Sequence, residues 1–306
     1  MIYTVTFNPA VDYVVYTSEM SIGEINRASD ENVFFGGKGI NVSLILNELG
    51  VKSKALGFVA GFTGVAIESS LREKGVETDF VHLKNGISRI NVKIKSGINA
   101  YLETELNGKG PEIDEPSLDE LYKKLDAVSD GDTLVLAGSI PKSMPADTYQ
   151  KILERMEGKN IRTIVDARKD LLMNVLKYKP YMVKPNHHEL GEIFGVTLRS
   201  VDEITEYAQK LKKMGPRNVL VSMAGDGALL LDEDGLTHLC RACRGIVNNS
   251  VGAGDSLMAG FLAGLDEKGD IDHAMKLGIA AGGATAFSHG LAVKEEIFEL
   301  LKTLEV

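Results

Sequence analysis

Two cysteines in 306 residues cannot make a disulfide scaffold. Only eight prolines stand against 32 glycines, so many tight turns and close backbone approaches are expected, as in α/β proteins with ligand loops. No apolar run approaches the roughly 18 residues of a membrane span. Basic residues are outnumbered 34 to 43, a net charge of −9. That balance presents no globally basic face to nucleic acid or anionic lipid, although a few Lys or Arg can still bind a phosphate locally. No Pro- or Ser-rich linker, repeat or low-complexity tract is present. The first residues, MIYTVTFNPAVD, enter a strand-like pattern with no signal-peptide layout, so a reduced, cytoplasmic protein is expected. Apolar residues are 44% and charged residues 25%, near globular averages, which rules out a disordered, collagenous or coiled-coil chain.

The pattern alternates strands and helices. Strands are expected at Ile2–Phe7, Ser53–Val59, Thr133–Leu136, Arg162–Val165, Tyr181–Lys184 and Asn218–Val221. Helices are expected at Ile40–Leu49, Gly64–Lys74, Leu118–Val128, Ala146–Glu157, Glu189–Phe194, Val201–Met214, Ser256–Leu265 and Ile271–Phe287. Strands separated by helices imply βαβ units and a parallel sheet. Tyr13–Phe35 and Ser88–Glu105 break this rhythm with alternating residues and no helix between. They are expected to be antiparallel strands that pair into a small second sheet.

The strongest local signal is Gly252-Ala253-Gly254-Asp255. Small residues let backbone N–H groups approach a ligand, and a helix opening there adds unpaired donors and a positive dipole end. A carboxylate beside such an anion site repels a phosphate, unless its task is to take a proton from a nucleophile attacking it. The alternative is an Asp that only complements the helix dipole. Gly36-Gly37-Lys38-Gly39-Ile40-Asn41 is a second Gly-rich loop before a helix. It can wrap a polar ligand, with charge from Lys38 and a donor and acceptor from Asn41; otherwise it is a simple turn. It is not a P-loop, because GxxxxGK[ST] is absent from the chain, and no GxGxxG follows the first strand.

Asn186 and Glu189 are three apart and can share a helix face, where oxygen ligands suit Mg²⁺ held through water and phosphates. The same pair also spells a capping box. His187-His188 invites a zinc reading, but neighbouring positions point to different sides of a helix, and no HExxH or Cys/His set follows. Ser222–Gly227 follows a strand at the end where open α/β sheets bind ligands; a hairpin with an Asp-Gly turn is the other reading. Cys240 and Cys243 form a lone CxxC in a strand-like run, for which a structural role is expected. Asp12 and Arg27 lie in the first insertion, Arg89 and Asn91 in the second.

Several of these marks stand in one order. Thr6–Asp12, GGKGINVS at Gly36–Ser43, Ser88–Lys93, Asn107 with Gly108, Gly110 and Pro111, Ala137–Pro141, Lys184-Pro185-Asn186 with Glu189, and Val251–Asp255 follow one another along the chain. Together they resemble the ribokinase or phosphofructokinase B (PfkB) family of sugar kinases, end to end. The spelling is most like its 1-phosphofructokinase and tagatose-6-phosphate kinase members.

The resemblance implies an α/β, Rossmann-like ribokinase fold: a central, mostly parallel sheet flanked by helices. It implies one kinase domain, residues 1–306, with a β-sheet lid from insertions at about 12–36 and 88–106 that often forms a dimer interface. ATP and Mg²⁺ are the implied cofactors, and a ketohexose phosphate the substrate. Fructose 1-phosphate is expected first and tagatose 6-phosphate second. Asp255 matches the catalytic base, and Gly252, Ala253 and Gly254 the anion hole. Asp12, Gly37, Lys38 and Asn41 match sugar contacts, and Arg89 the group that recognises the phosphate already on the sugar. Asn91, Arg27 and Ser139 join them. Lys184, Asn186, Ser222, Gly225, Gly227 and Gly254 match the nucleotide side, and Asn186 with Glu189 the metal motif. Two spellings depart from the family: Asn249-Ser250 replaces Asp-Thr, and Ala224-Gly225 replaces Gly-Ala. A non-catalytic sensor on the same scaffold would not need Asp255. A neutral sugar would leave Arg89, Lys38 and Arg27 unpaired in a closed site.

Overall fold

The computed structural model describes residues 1–97 and 102–304. The chain opens with β1 (Ile2–Thr6), β2 (Ala10–Thr17), β3 (Asp30–Gly36), α1 (Lys38–Glu48), β4 (Ser53–Ala60) and α2 (Gly61–Glu73). Short β5 (Glu77–Thr78) and β6 (Val81–Leu83) lead to β7 (Arg89–Ser96) and β8 (Leu102–Asn107). Next come α3 (Glu115–Leu125), β9 (Thr133–Ala137), α4 (Thr148–Met156), β10 (Arg162–Asp166), α5 (Lys169–Met173), β11 (Met182–Val183), α6 (His187–Phe194) and α7 (Val201–Lys212). The last part holds β12 (Asn218–Ser222), β13 (Ala228–Leu231), β14 (Thr237–Cys240), α8 (Ala253–Lys268), α9 (Ile271–Phe287) and α10 (Lys294–Leu304).

The large sheet runs β14-β13-β12-β11-β10-β9-β1-β4-β5, with β6 on β4; it is parallel except at β13 and β14. Its central strands read as unbroken apolar runs because helices cover both faces: all five residues of β9 are buried. Side chains alternate between two cores. Leu134 and Leu136 pack with α3, α4 and α7, while Val135 and Ala137 pack with α1, α8, α9 and α10. Helices α8 and α9 interlock through small residues. A Cβ on Gly260 would lie 2.6 Å from the Leu277 carbonyl oxygen, and one on Gly278 2.8 Å from that of Leu257.

The two insertions form the four-stranded lid, ordered β3-β2-β7-β8. The outer pairs are antiparallel, as expected, but β2 and β7 run parallel from Ala10↔Arg89 to Thr17↔Ser96. The reason is where each leaves the main sheet. Strand β2 follows β1, and β7 follows β6 beside β4, so both leave the carboxyl edge of parallel strands in one direction. Residues 98–101 of the second insertion lie outside the described residues. Strands β5, β6, β13 and β14 and helices α5 and α10 lie outside the expected set. Helix α8 begins three residues before the expected Ser256, which puts Gly254 and Asp255 in its first turn. Among the described residues no helix is long and apolar enough to cross a membrane.

Candidate active site

Strand order reverses at β1, flanked by β9 and β4, and the carboxyl ends of such strands open a crevice. Two helix N-termini meet there. Gly37 caps α1 at φ 135°, and a Cβ on it would lie 2.7 Å from Thr6 Cγ2. Thr6 Oγ1 accepts from the Ile40 amide at 3.0 Å, satisfying a first-turn donor. Gly252 caps α8 in the left-handed region, φ 84°. The Ala253 amide donates to Ser250 O at 3.3 Å and that of Ser256 to Gly252 O at 2.8 Å. Between them, the Gly254 and Asp255 amides have no acceptor among the described residues.

Asp255 is buried, and its Oδ2 accepts from Asn41 Nδ2 at 2.8 Å, joining the two helix starts. It makes no capping bond to its own helix. Burial, with the negative charge of Asp166 nearby, pushes its carboxyl up to about 6 against the pull of Lys38 and Lys184. Asp166 closes β10 and is also buried. Lys38 Nζ lies 2.8 Å from its Oδ1 and Lys184 Nζ 3.0 Å from its Oδ2. Burial alone would raise its pKa, but the two ammonium groups hold it below the ordinary carboxylate value. Lys184 Nζ stands 3.4 Å from where a Cβ on Gly254 would be, facing the open first turn of α8.

The lid supplies the opposite wall. Asp12, Arg89 and Asn91 come from β2 and β7, and Asn91 Nδ2 donates to Asp12 Oδ1 at 2.7 Å. Arg89 is half-buried; its Nε donates to Asn8 O at 3.1 Å, and its terminal nitrogens have no protein partner among the described residues. On the far side, Asn186 pairs with Ser222 as a parallel bridge, bringing the start of α6 beside the turn between β12 and β13. The turn closes a hairpin, as one of the two readings expected, and Ser222, Gly225 and Gly227 line the cleft. The cleft measures about 990 Å³. Its lining carries five cations (Lys38, Arg89, Arg168, Lys184, Arg244) against three carboxylates (Asp12, Glu189, Asp255), a local cationic excess in an acidic chain.

Such a cleft brings together open amides at a helix start, a carboxylate of raised pKa beside them, and a guanidinium whose terminal nitrogens have no protein partner among the described residues. The model for pfkB family carbohydrate kinases matches residues 5–297. The chain belongs to that family. It is an ATP-dependent carbohydrate kinase. It is 46% identical over its whole length to a 1-phosphofructokinase of Bacillus subtilis, covering 99% of that protein. It is 36% identical over its whole length to a D-tagatose-1-phosphate kinase of Bacillus licheniformis, also covering 99%. Phosphofructokinase-2 from Escherichia coli, solved with substrates and products, superposes with a TM-score of 0.93 at 25% identity, over 100% of this chain and 99% of the other.

The kinase cleft gathers most residues singled out in the sequence: Asp12, Gly37, Lys38, Asn41, Arg89, Asn91, Lys184, Asn186, Glu189, Ser222, Gly225, Gly227 and Gly252–Asp255. Arg27 and Ser139 are not among its lining residues. Arg27 is exposed in the β2–β3 loop, where its carbonyl accepts from Thr17 Oγ1 at 3.3 Å. Ser139 is exposed beyond Gly138, against which the Lys38 stem lies. Sequence reasoning missed Asp166 and Arg168. An Asp closing an apolar strand at the carboxyl edge was the available signal.

The capping box is formed: Asn186 Oδ1 accepts from the Glu189 amide at 2.8 Å, and Glu189 Oε2 from the Asn186 amide at 3.0 Å. Arg168 Nε donates to Glu189 Oε1 at 2.9 Å. The rings of His187 and His188, in the opening turn of α6, lie against each other rather than diverging, with centroids 3.9 Å apart and planes tilted by 40°. No three metal-ligating side chains converge among the described residues. Asn249, where the family has Asp, accepts from the Val251 amide at 3.1 Å and donates to His289 O at 3.4 Å. It closes the turn before α8 and ties it to the segment after α9. Ala224 takes the left-handed conformation, φ 50°, that a glycine would adopt freely, a strain of about 1–2 kcal/mol. Cys243 lines the cleft and Cys240 ends β14; both are half-buried free thiols, and burial pushes the Cys240 thiol up to about 11.

Proposed function

We propose that this kinase transfers the γ-phosphoryl group of ATP to fructose 1-phosphate, giving fructose 1,6-bisphosphate and ADP. The reading is carried by Arg89, a half-buried guanidinium on the lid over the same cleft as Asp255, tethered at Nε and with its terminal nitrogens free of protein partners among the described residues. It is supported by the 46% full-length likeness to a 1-phosphofructokinase. Arg89 grips the phosphate the sugar brings, in a bidentate manner that Lys cannot copy. Asp12, Asn41, Gly37 and Lys38 hold the sugar with its free terminal hydroxyl towards Asp255. Asp255 takes the hydroxyl proton as the oxygen attacks the γ-phosphorus and the bond to the β-phosphate oxygen breaks. The open amides of α8 and Lys184 hold the charge that builds on the transferring group. Asn186, Ser222, Gly225 and Gly227 line the nucleotide side. Residues 1–306 act as one kinase domain, with the lid at about 12–36 and 88–106, in the cytoplasm.

Mg²⁺ fits this donor set as an ion carried in with the phosphates. Glu189 lines the cleft, and its carboxylate is held at both oxygens by Asn186 and Arg168. One carboxylate beside the phosphates matches a cation that keeps most of its waters. When bound, it neutralises the β and γ phosphates; Glu189 would hold it, with Asn186 orienting Glu189.

A coupled assay with ATP and a panel of fructose 1-phosphate, fructose 6-phosphate, tagatose 1-phosphate, tagatose 6-phosphate and ribose tests the reading. Fructose 1-phosphate should turn over fastest, and EDTA should abolish the rate. Tagatose 6-phosphate is the second candidate, and tagatose 1-phosphate joins the panel because a relative of 36% identity is named for it. Equal turnover of unphosphorylated ribose would sink the substrate reading, and a rate indifferent to EDTA the metal.

A homodimer through the lid belongs to the same proposal. One lid face carries Tyr13, Val33, Val92 and Leu106 in register, with Val33 52% and Leu106 72% exposed. A small sheet with one bare apolar face is marginal in water, and a second copy would cover it. Sedimentation should give a dimer at micromolar concentration, and Leu106→Asp a monomer. A wild-type monomer would remove the interface without touching the chemistry.

A further inference from the structure

Next to the kinase cleft lies a second cavity of about 420 Å³, which Asp12 also lines. Asp12, Gly37 and Asn41 line both spaces; Lys93 lines only the second. Lys93 sits two residues after Asn91 on β7, on the same face of the strand. It is 7% exposed, unusually deep for a lysine in a surface sheet. Its Nζ lies 3.3 Å from Asp12 Oδ2 and 3.8 Å from Glu105 Oε1 on β8. Lys95 and Glu103 form the next rung at 3.8 Å.

A buried ammonium is costly unless paired, so Lys93 at this depth implies that its partners hold it there. Asp12 is thereby held at both oxygens: Asn91 Nδ2, in the kinase cleft, donates to Oδ1 at 2.7 Å, and Lys93, from the second cavity, faces Oδ2 at 3.3 Å. An ionised carboxylate has about four lone-pair sites, so acceptor capacity remains on the cleft side. Resting on the sugar-phosphate reading above, we infer that Lys93 is a positioning residue. It lines only the second cavity, and it fixes Asp12 in the rotamer that accepts the sugar hydroxyls. Without it, Asp12 would have to be ordered as substrate binds, and that cost falls on sugar affinity. The nucleotide side does not share the contact.

A double-mutant cycle on the full-length enzyme tests this. Lys93→Met should raise KM for fructose 1-phosphate about tenfold, the size expected for one lost charged hydrogen bond. KM for ATP should stay constant and kcat should change less than about threefold. In an Asp12→Asn background, where the carboxylate charge is already gone, the same change should shift the sugar KM less than about twofold. Lys93→Arg should restore most of the loss. Glu105→Gln, which leaves Lys93 to Asp12 alone, should lower the sugar KM or leave it unchanged. Equal fold-effects of Lys93→Met in both backgrounds, or a matching rise in KM for ATP, would overturn the inference. So would a rise in sugar KM with Glu105→Gln. Wild type that fails to turn over fructose 1-phosphate is a separate result: it overturns the substrate reading, and the cycle is then run with the panel sugar that is accepted.

Discussion

Asp255→Asn should cost at least about two decades in kcat, the lower end of what a positioned general base supplies. The variant keeps the shape of the side chain and its place beside Asn41 but removes the proton acceptor. Sugar-phosphate affinity should stay nearly intact, because Arg89, Asp12 and Lys38 are untouched. The pH profile gives an independent reading. The Asp255 carboxyl is raised from 3.8 to about 6, so it is ionised above that pH and protonated below it. Wild-type kcat/KM should therefore fall as pH drops through about 6, and the Asn variant should lack that limb. Retention of more than half of wild-type kcat would remove Asp255 from the role of base.

Arg89→Ala should raise KM for fructose 1-phosphate by roughly one to two decades, since charged hydrogen bonds are worth about 1.5–3 kcal/mol each. KM for ATP should hardly move, because Arg89 projects from the lid and the nucleotide loops lie across the cleft. Arg89→Lys should fall between, keeping the charge but losing the planar fork. The effect belongs to the phosphate: any residual turnover of unphosphorylated fructose should be insensitive to the substitution. A fall in kcat with unchanged sugar KM would show that Arg89 does not bind the phosphate.

Most of the fold was legible because its signals are short-range. Fully apolar runs such as Thr133–Ala137 mark strands covered on both faces, and the periodic positions of 271–287 mark a helix whose ends came out as expected. Boundaries were weaker where small residues carry no period. Helix α8 starts on Ala253 and Gly254, outside any apolar repeat, yet that start places Asp255 beside the open amides. The run Ala228–Leu231 of β13 is Ala-Leu-Leu-Leu, with no alternation and, unlike β9, no β-branched residue to favour strand over helix.

The sequence by itself determined that an α/β chain carries two strand insertions, two Gly-rich helix starts and one Asp at the second of them. Each is a property of neighbouring residues, set by backbone sterics and local spacing. What only the tertiary structure decided are the meetings between distant segments. Asp166 joins Lys38 to Lys184 across 128 positions on one side. The lid pairs β2 parallel to β7, and Arg27 and Ser139 stay out of the cleft that receives their neighbours. Lys93 meets the Asp12 carboxylate across 81 positions of the chain. These depend on how the loops close and which buried charges must be paired, and that energy exists only once the chain has folded around them.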